Sequence, residues 1–150
     1  MHKTLSWAAV ILWMGLIFYL SHQPAAESSE LSTGVTEIVL SIIEKMVPNE
    51  GLDVNRIHHL IRKNAHFFIY FFLGMLVLYA LRKSKGTGYQ TIGLAMLICV
   101  LYAISDEVHQ LFVPGRGAQV MDVLIDSGGA SVGIVSYLLL GQLKVTVRRK

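Results

Sequence analysis

Cysteine and charge are both scarce in this chain. Cys99 is the single cysteine, so an intrachain disulfide, a CxxC redox pair and a zinc-ribbon pattern are all excluded. Charged residues make up 15% of the 150 residues, against about 25% in an ordinary soluble domain. Hydrophobic residues make up 53% and the mean hydropathy is +0.54, so we expect lipid to cover much of the folded surface.

Familiar enzyme and transporter signatures are missing as well. We recognise no Ser or Cys nucleophile elbow, no phosphatase signature and no HExxH zinc motif. No internal repeat or broken apolar helix is evident, which makes a secondary transporter less favoured. The net charge of +3 does not indicate nucleic acid, because the basic residues flank apolar runs, as they do in membrane proteins.

Four apolar runs predict four transmembrane helices. About 20 residues are needed to cross a hydrocarbon core about 30 Å thick, and the runs reach that length when their polar flanks join the helix. The predicted fold class is an all-α integral membrane protein, a four-helix transmembrane bundle forming one domain over 1–150. The helices are predicted over about 5–21, 62–81, 89–110 and 122–143.

The first run follows a short basic start and would suit either a signal peptide or a retained helix. We favour retention, because cleavage after Ala26 would lack a small residue three positions before the cut. Trp7, Trp13 and Tyr19 also suit a helix that stays in the membrane and its interface.

A long polar segment separates the first two runs and contains a helical pattern of its own. Its apolar residues recur at three- and four-residue spacing, and Pro48-Asn49-Glu50-Gly51 then provides a stop. We predict an extra amphipathic helix in this first outer loop, either flat on the bilayer or packed on the bundle. Its apolar residues are Leu31, Val35, Ile38, Val39, Ile42, Ile43 and Met46.

Basic residues in short loops predict the orientation. Lys3 precedes the first helix, Arg82, Lys83 and Lys85 follow the second, and the basic residues of 144–150 follow the fourth. Such residues mark the cytoplasmic side of a membrane. Both termini are therefore predicted to be cytoplasmic, and the start of the second helix, the end of the third and the start of the fourth to face outward.

Ionisable residues gather at these outward helix ends. Insertion of each charged side chain costs roughly 2.5–3.5 kcal/mol at the bilayer centre and less near the interface. A group of such residues is therefore expected to form ion pairs or to have a functional role. Asp122 and Asp126 share one helix face, as do Arg62 and His66, and Asp106 with His109 or Gln110. The candidate catalytic residues are His66, Asp106, Glu107, His109, Asp122 and Asp126; the candidate ligand-binding residues are Arg62, Lys63, Asn64, Gln110 and Arg116.

Small residues follow Asp126 in the fourth run. Gly129 and Gly133 have the GxxxG spacing that lets two helices approach closely. We interpret these glycines as packing residues, and the same spacing leaves a homo-oligomer open.

Several of these residues lie in motifs that resemble the VanZ-like family over nearly the whole length. The motifs are Tyr19-Leu20-Ser21-His22-Gln23-Pro24, Arg62-Lys63-Asn64-Ala65-His66-Phe67 with Tyr70 and Leu73-Gly74, Tyr102-Ala103-Ile104-Ser105-Asp106-Glu107-Val108-His109-Gln110, Phe112-Val113-Pro114-Gly115-Arg116, and Asp122 with Asp126-Ser127-Gly128-Gly129. The resemblance implies a multi-pass protein of the bacterial plasma membrane. It also implies a role in the cell envelope, because the family is named after a member linked to resistance against the glycopeptide teicoplanin.

Three functions fit the outward residues. An enzyme would hold a lipid-linked phosphate or another cell-wall precursor with its arginines, and move protons with His66 or His109. A non-catalytic binding or shielding protein would recognise a membrane lipid headgroup or the antibiotic itself. A purely structural group would stabilise the bundle by about 0.6 kcal/mol per polar pair. No cofactor motif is evident, and a divalent metal bound by the carboxylates is left open.

Overall fold

The computed structural model describes residues 2–24, 34 and 54–148, and four helices account for most of them. They are α1 (His2–Ser21), α2 (Val54–Lys85), α3 (Tyr89–Gln110) and α4 (Val120–Arg148), and the described residues contain no strand. All four are long and apolar enough to cross a membrane. The prediction of an all-α protein with four membrane helices is confirmed.

The predicted amphipathic helix lies outside the described residues, since all seven apolar positions on which it was based fall within 25–33 and 35–53.

Polar sequence at two helix ends remains helical. α2 begins at Val54, ahead of the predicted start near 62, and α3 continues to Gln110. Helical backbone satisfies its own N–H and C=O groups, which is what the low-water region near a bilayer demands. The polar residues of 62–66 and 105–110 are therefore held on defined helix faces rather than in loops.

Helix α2 is the centre of the bundle. It packs against α1, α3 and α4, and its contact with α4 is the most extensive. Tyr70, Leu73 and Val77 of α2 have no exposed surface, and Cys99 of α3 is equally buried. Cys99 is therefore a residue of the apolar core.

Aromatic side chains attach α1 to its neighbours. The Trp13 indole N–H donates to the Ile69 carbonyl of α2 at 3.0 Å, and the Trp7 indole donates to the Ser84 hydroxyl at 3.0 Å. The Tyr102 hydroxyl of α3 donates to a carbonyl of α1. These bonds lie along the middle of α1, between Trp7 and Met14, so α1 is an integral part of the bundle.

Glycines allow α4 to lie close to α2. A methyl group at Gly129 would collide with the Phe67 carbonyl oxygen, and one at Gly133 would collide with the Phe71 carbonyl oxygen. Absence of a side chain lets the two backbones approach to contact distance. The predicted packing role is thus seen within a single chain, and α2 already occupies this glycine face.

The bundle has two chemically different ends. The end of α1, the start of the membrane part of α2, the end of α3 and the start of α4 meet at what we call the polar end, which is held by a hydrogen bond from Ser21 to Asp106. The opposite, basic end contains Lys3, the 82–85 segment and the last turns of α4, and the Trp7–Ser84 bond lies there.

Candidate functional site

His66, Asp106 and Asp126, from three different helices, meet at the polar end. One side-chain ligand atom from each lies within 4.8 Å of the other two. His66 Nδ1 is 3.5 Å from Asp126 Oδ1, beyond ordinary hydrogen-bond length. Asp126 has no exposed surface, Asp106 is 3% exposed and the His66 side chain is 19% exposed. We call these three residues the acid–histidine group.

The glycine contact fixes the height of this group along the bundle. Gly129 faces the backbone of Phe67, the residue that follows His66. Asp126 precedes Gly129 by three residues, so it lies almost one turn earlier on α4 and opposite His66. Small residues on α4 therefore determine how closely an imidazole and a carboxylate approach across the helix pair.

Carboxylate oxygens in the acid–histidine group are only partly satisfied. Asp106 Oδ2 accepts hydrogen bonds from the Ser21 hydroxyl at 2.8 Å and from the Gln110 amide at 3.4 Å. Asp106 Oδ1 and both oxygens of Asp126 are buried without a hydrogen-bond partner among the described residues. Each buried polar atom left unsatisfied costs about 1–3 kcal/mol, so these oxygens are available to a proton donor or a metal ion.

Two further carboxylates lie next to this group. Glu107 is buried, and its Oε2 accepts the backbone N–H of Gln119 at 2.8 Å. Asp122 is buried on α4, one turn before Asp126, and its Oδ1 has no partner among the described residues. Both lie within electrostatic range of His66. The structure thus gathers four carboxyl groups where the sequence predicted them to converge.

Arg116 lies in the connection between α3 and α4 and supplies positive charge beside the carboxylates. It donates to the Leu20 carbonyl at 3.3 Å, while its buried Nε has no hydrogen-bond partner among the described residues. Burial lowers the pKa of the Arg116 guanidinium, the neighbouring charge of Arg62 lowers it further, and Asp106 and Glu107 act in the opposite direction. Arginine still remains protonated, because the guanidinium is far too weak an acid to lose its proton near neutral pH.

His109 is held apart from the acid–histidine group. Its ring lies 4.4 Å from the ring of Phe18, and its Nε2 is 3.1 Å from Nδ1 of His22. His22, at the exit of α1, was not among the predicted site residues. Its place in the Tyr19–Pro24 motif was the signal that could have identified it.

Two of the predicted ligand-binding residues occupy less central positions. Asn64 is exposed, and its amide donates to the Leu60 carbonyl of its own helix at 2.8 Å. Lys63 is half-buried and lies about 100° around α2 from Arg62. The structure therefore brings Gln110 to the acid–histidine group and places Arg62 near Arg116, but it turns Asn64 away.

Tyr70 is a residue that the site prediction did not include. It lies four residues after His66, has no exposed surface, and its hydroxyl has no hydrogen-bond partner among the described residues. Its ring is 6.3 Å from that of Tyr102. Helical spacing from His66 was the available signal, but a tyrosine in an apolar run is more readily interpreted as core.

Gly129-Ala130-Ser131-Val132-Gly133 matches the letters of a GxSxG nucleophile motif, although the structure gives it another role. The motif needs a strand-to-helix turn that exposes the serine. Here Ser131 lies within α4, where its hydroxyl donates to the Ser127 carbonyl at 2.8 Å. Ser131 is therefore a packing residue and not an activated nucleophile.

A cavity of about 820 Å³ lies at the basic end. It is lined by Arg82, Thr87, Gly88, Tyr89, Ile92, Leu138, Gly141 and Gln142. This lining includes neither a carboxylate nor a histidine, so the chemistry that the sequence predicted is concentrated at the polar end and not in this cavity.

Fold and site together define a multi-pass membrane protein whose ionisable residues are buried at one end of a helical bundle. The chain belongs to the VanZ/LLP1 family, whose model matches residues 6–141. The match includes every residue of the polar end described above and confirms the VanZ-like resemblance. A search of curated proteins found no match, and a search of solved structures found none either.

Proposed function

We propose that this chain is a cell-envelope protein of the bacterial plasma membrane whose polar end faces outward. There it binds the anionic headgroup of an envelope lipid or of a lipid-linked cell-wall precursor. Membership of the VanZ/LLP1 family and four apolar helices support the membrane setting. Arg116 together with Arg62 supports an anionic ligand. The buried Nε of Arg116 alone does not, because the Arg82 Nε at the basic end is likewise buried without a hydrogen-bond partner among the described residues.

Arg116 and Arg62 form an arrangement that an anion would relieve. The buried Nε–H of Arg116 lacks an acceptor among the described residues, and Arg62 places a second positive charge nearby. Two like charges repel each other. Asp106 and Glu107 counter this repulsion, but each acts on Arg116 less strongly than Arg62 does. A phosphate accepts several N–H bonds from guanidinium groups at once, so it would satisfy the N–H and reduce the repulsion.

The proposed orientation depends on the basic end. Lys3, Arg82, Lys83 and Lys85 belong to that end, and the fourth helix leads to further basic residues there. Lysine and arginine in short segments next to membrane helices favour the cytoplasmic side. With the basic end and both termini inside, the polar end meets the outer leaflet, where lipid-linked precursors carry their headgroups.

The direct test is binding of a polyprenyl phosphate to the purified full chain in detergent micelles. Arg116→Gln and Arg82→Gln remove the same charge from opposite ends of the bundle and so form a matched pair. We expect Arg116→Gln to weaken binding at least about tenfold, because charge-assisted hydrogen bonds contribute about 1.5–3 kcal/mol. Arg82→Gln is expected to leave the affinity unchanged.

The uncharged polyprenol of the same length shows whether the phosphate itself is recognised. We expect it to bind more weakly than the polyprenyl phosphate. Equal affinities for the two lipids, or equal losses in the two arginine variants, would contradict headgroup binding at the polar end. Release of inorganic phosphate during the same incubation would show that the ligand is also a substrate.

In the cell, the proposed consequence is protection from teicoplanin. This antibiotic enters the proposal through the VanZ-like resemblance. Its targets are cell-wall precursors, and it carries an acyl chain that the apolar bundle could accept while its polar part meets the polar end. Holding either the precursor or the antibiotic at this site would reduce damage to the wall.

A further inference from the structure

Beneath the arginines, the acid–histidine group presents oxygen and nitrogen atoms that the anionic-headgroup proposal does not use. We propose that His66, Asp106 and Asp126 bind one divalent metal ion. The geometry carries this site independently of any lipid, and only the contact of the metal with a headgroup rests on the proposed function.

The distances suit a single ion. One ligand atom from each residue lies within 4.8 Å of the other two. An ion with ligands at about 2.0–2.2 Å separates opposite ligands by roughly 4 Å and neighbouring ones by roughly 3 Å. In the tetrahedral geometry that Zn²⁺ prefers, three ligands lie roughly 3.4 Å apart, so each ligand atom here would move by less than roughly 1 Å, a distance within the reach of side-chain rotation.

Hydrogen bonding within the group does not satisfy these oxygens. Both oxygens of Asp126 and one oxygen of Asp106 lack a hydrogen-bond partner among the described residues. His66 is the nearest basic side chain to Asp126, and its Nδ1, at 3.5 Å, can supply one proton at most. A divalent cation offers two positive charges and several directions of contact, which a single imidazole does not.

The set of donors indicates which kind of cation fits. Two carboxylates with one imidazole suit Zn²⁺ or Mn²⁺, whereas Mg²⁺ and Ca²⁺ prefer ligand sets made of oxygen alone. Asp106 is also oriented as metal ligands usually are, because Ser21 and Gln110 donate hydrogen bonds to its second oxygen. These bonds leave its first oxygen free to bind the ion.

The proposed metal would lie beside the arginines, and this location gives it a second role. Arg116 interacts electrostatically with Asp106, so cationic and acidic groups lie side by side at the polar end. Carboxylates alone would repel an anionic headgroup. A bound divalent cation neutralises them and offers free coordination positions to a phosphate oxygen.

The test uses the full chain, purified without a polyhistidine tag, stripped with a chelator and kept free of lipid. Binding of Zn²⁺, Mn²⁺ and Mg²⁺ is measured by titration calorimetry and by metal analysis after dialysis. We expect one Zn²⁺ or Mn²⁺ per chain, with weaker binding of Mg²⁺. Asp126→Asn is expected to weaken binding at least tenfold, whereas Ser105→Ala, which removes an exposed hydroxyl next to Asp106 that lies outside the group, retains it.

A spectroscopic readout keeps the proposal testable if a carboxylate variant does not fold. Pulsed electron paramagnetic resonance of Mn²⁺ on the wild-type chain is expected to show a nitrogen coupling from His66, which is lost in His66→Gln. Absence of saturable binding to the wild-type chain overturns the proposal. So do equal affinities of Asp126→Asn and Ser105→Ala, or a bound Mn²⁺ without nitrogen coupling. Because no lipid is present, failure here leaves headgroup binding to its own test.

Discussion

The polar end and the basic end of the bundle differ in how deeply their charged side chains are buried and in what those side chains contact. At the basic end, the Arg82 guanidinium lies 5.5 Å from the centre of the Tyr137 ring and the Lys83 ammonium lies 5.7 Å from that of Tyr79. At the polar end, Asp126 is fully buried, and both of its oxygens lack a hydrogen-bond partner among the described residues. Arg82 is half-buried with its Nε also unsatisfied among those residues, but its guanidinium rests on an aromatic ring and Lys83 is exposed, so their charges cost less than fully buried carboxylates do.

Under the proposed function, the basic end orients the protein in the membrane and the polar end binds the ligand. Placement of lysine and arginine beside a membrane helix needs only access to water or headgroups. Placement of Asp106 and Asp126 inside the bundle requires the rest of the fold to offset their burial. The proposed ligand would pair with these groups and offset part of the cost of burying them.

The largest expected effect comes from the glycine contact that assembles the polar end. Gly129→Ala would press a methyl group against the Phe67 carbonyl and separate α4 from α2. We expect a loss near the upper part of the range of about 1–3 kcal/mol that overpacking costs. Unfolding in mixed micelles with increasing SDS, followed by circular dichroism, measures it.

Gly128→Ala is the matched control, because a methyl group at Gly128 would meet nothing within 4 Å. Its stability should equal or slightly exceed that of the wild type, since alanine favours a helix by up to about 1 kcal/mol over glycine. Equal stabilities of the Gly128→Ala and Gly129→Ala variants would show that the α2–α4 contact is not as close as the structure places it.

A smaller effect is expected from the support of Asp106. Ser21→Ala removes a buried hydroxyl that donates to Asp106 Oδ2 at 2.8 Å. Loss of this bond leaves the carboxylate less satisfied and should cost about 1–2 kcal/mol. Thermal unfolding of the purified chain measures the change.

Ser105→Ala serves as the comparison for Ser21→Ala. Ser105 is exposed, and its hydroxyl donates to the Tyr102 carbonyl of its own helix. Its removal should change the melting temperature little. A loss as large as that of Ser21→Ala would mean that the hydroxyl bond to Asp106 has no special importance.

The smallest effect is expected at the basic end. Arg82→Gln loses the contact with Tyr137, which at a partly exposed site contributes about 0.5–1 kcal/mol. Lys85→Gln, at an exposed neighbouring position, removes one charge without a ring contact among the described residues. Melting temperatures of the two variants should differ by only a few degrees, and a loss in Arg82→Gln exceeding that of Ser21→Ala would reverse the ranking of the two ends.

The sequence was sufficient to predict the four helices and the end at which ionisable residues gather. The length of each apolar run predicts a membrane-spanning helix. Because successive helices cross the membrane in opposite directions, their order then predicts which helix ends lie on the same side. Rotation of each helix about its axis was harder to predict. Asp106 shares a face with both His109 and Gln110 by spacing, yet the structure pairs it with Gln110 while His109 turns to His22.

The contact between His66 and Asp126 could not be predicted from residue spacing either, because spacing does not show which helices pack together. Gly129 and Gly133 indicated that α4 packs closely on some helix, but not on which one. Tyr70 was missed because its hydroxyl is one polar atom in an apolar run, and only its burial without a partner marks it. Contacts between helices distant in sequence determine all of these features.

The most direct test of the central claim, that the polar end carries the function, is teicoplanin susceptibility of a sensitive host. The host expresses the wild-type chain, the Asp126→Asn variant or the Arg82→Gln variant, each at equal membrane abundance. We predict that the wild type and Arg82→Gln protect the host and that Asp126→Asn does not. Protection by Asp126→Asn equal to that of the wild type, or a wild type that behaves like the empty host, would contradict the claim.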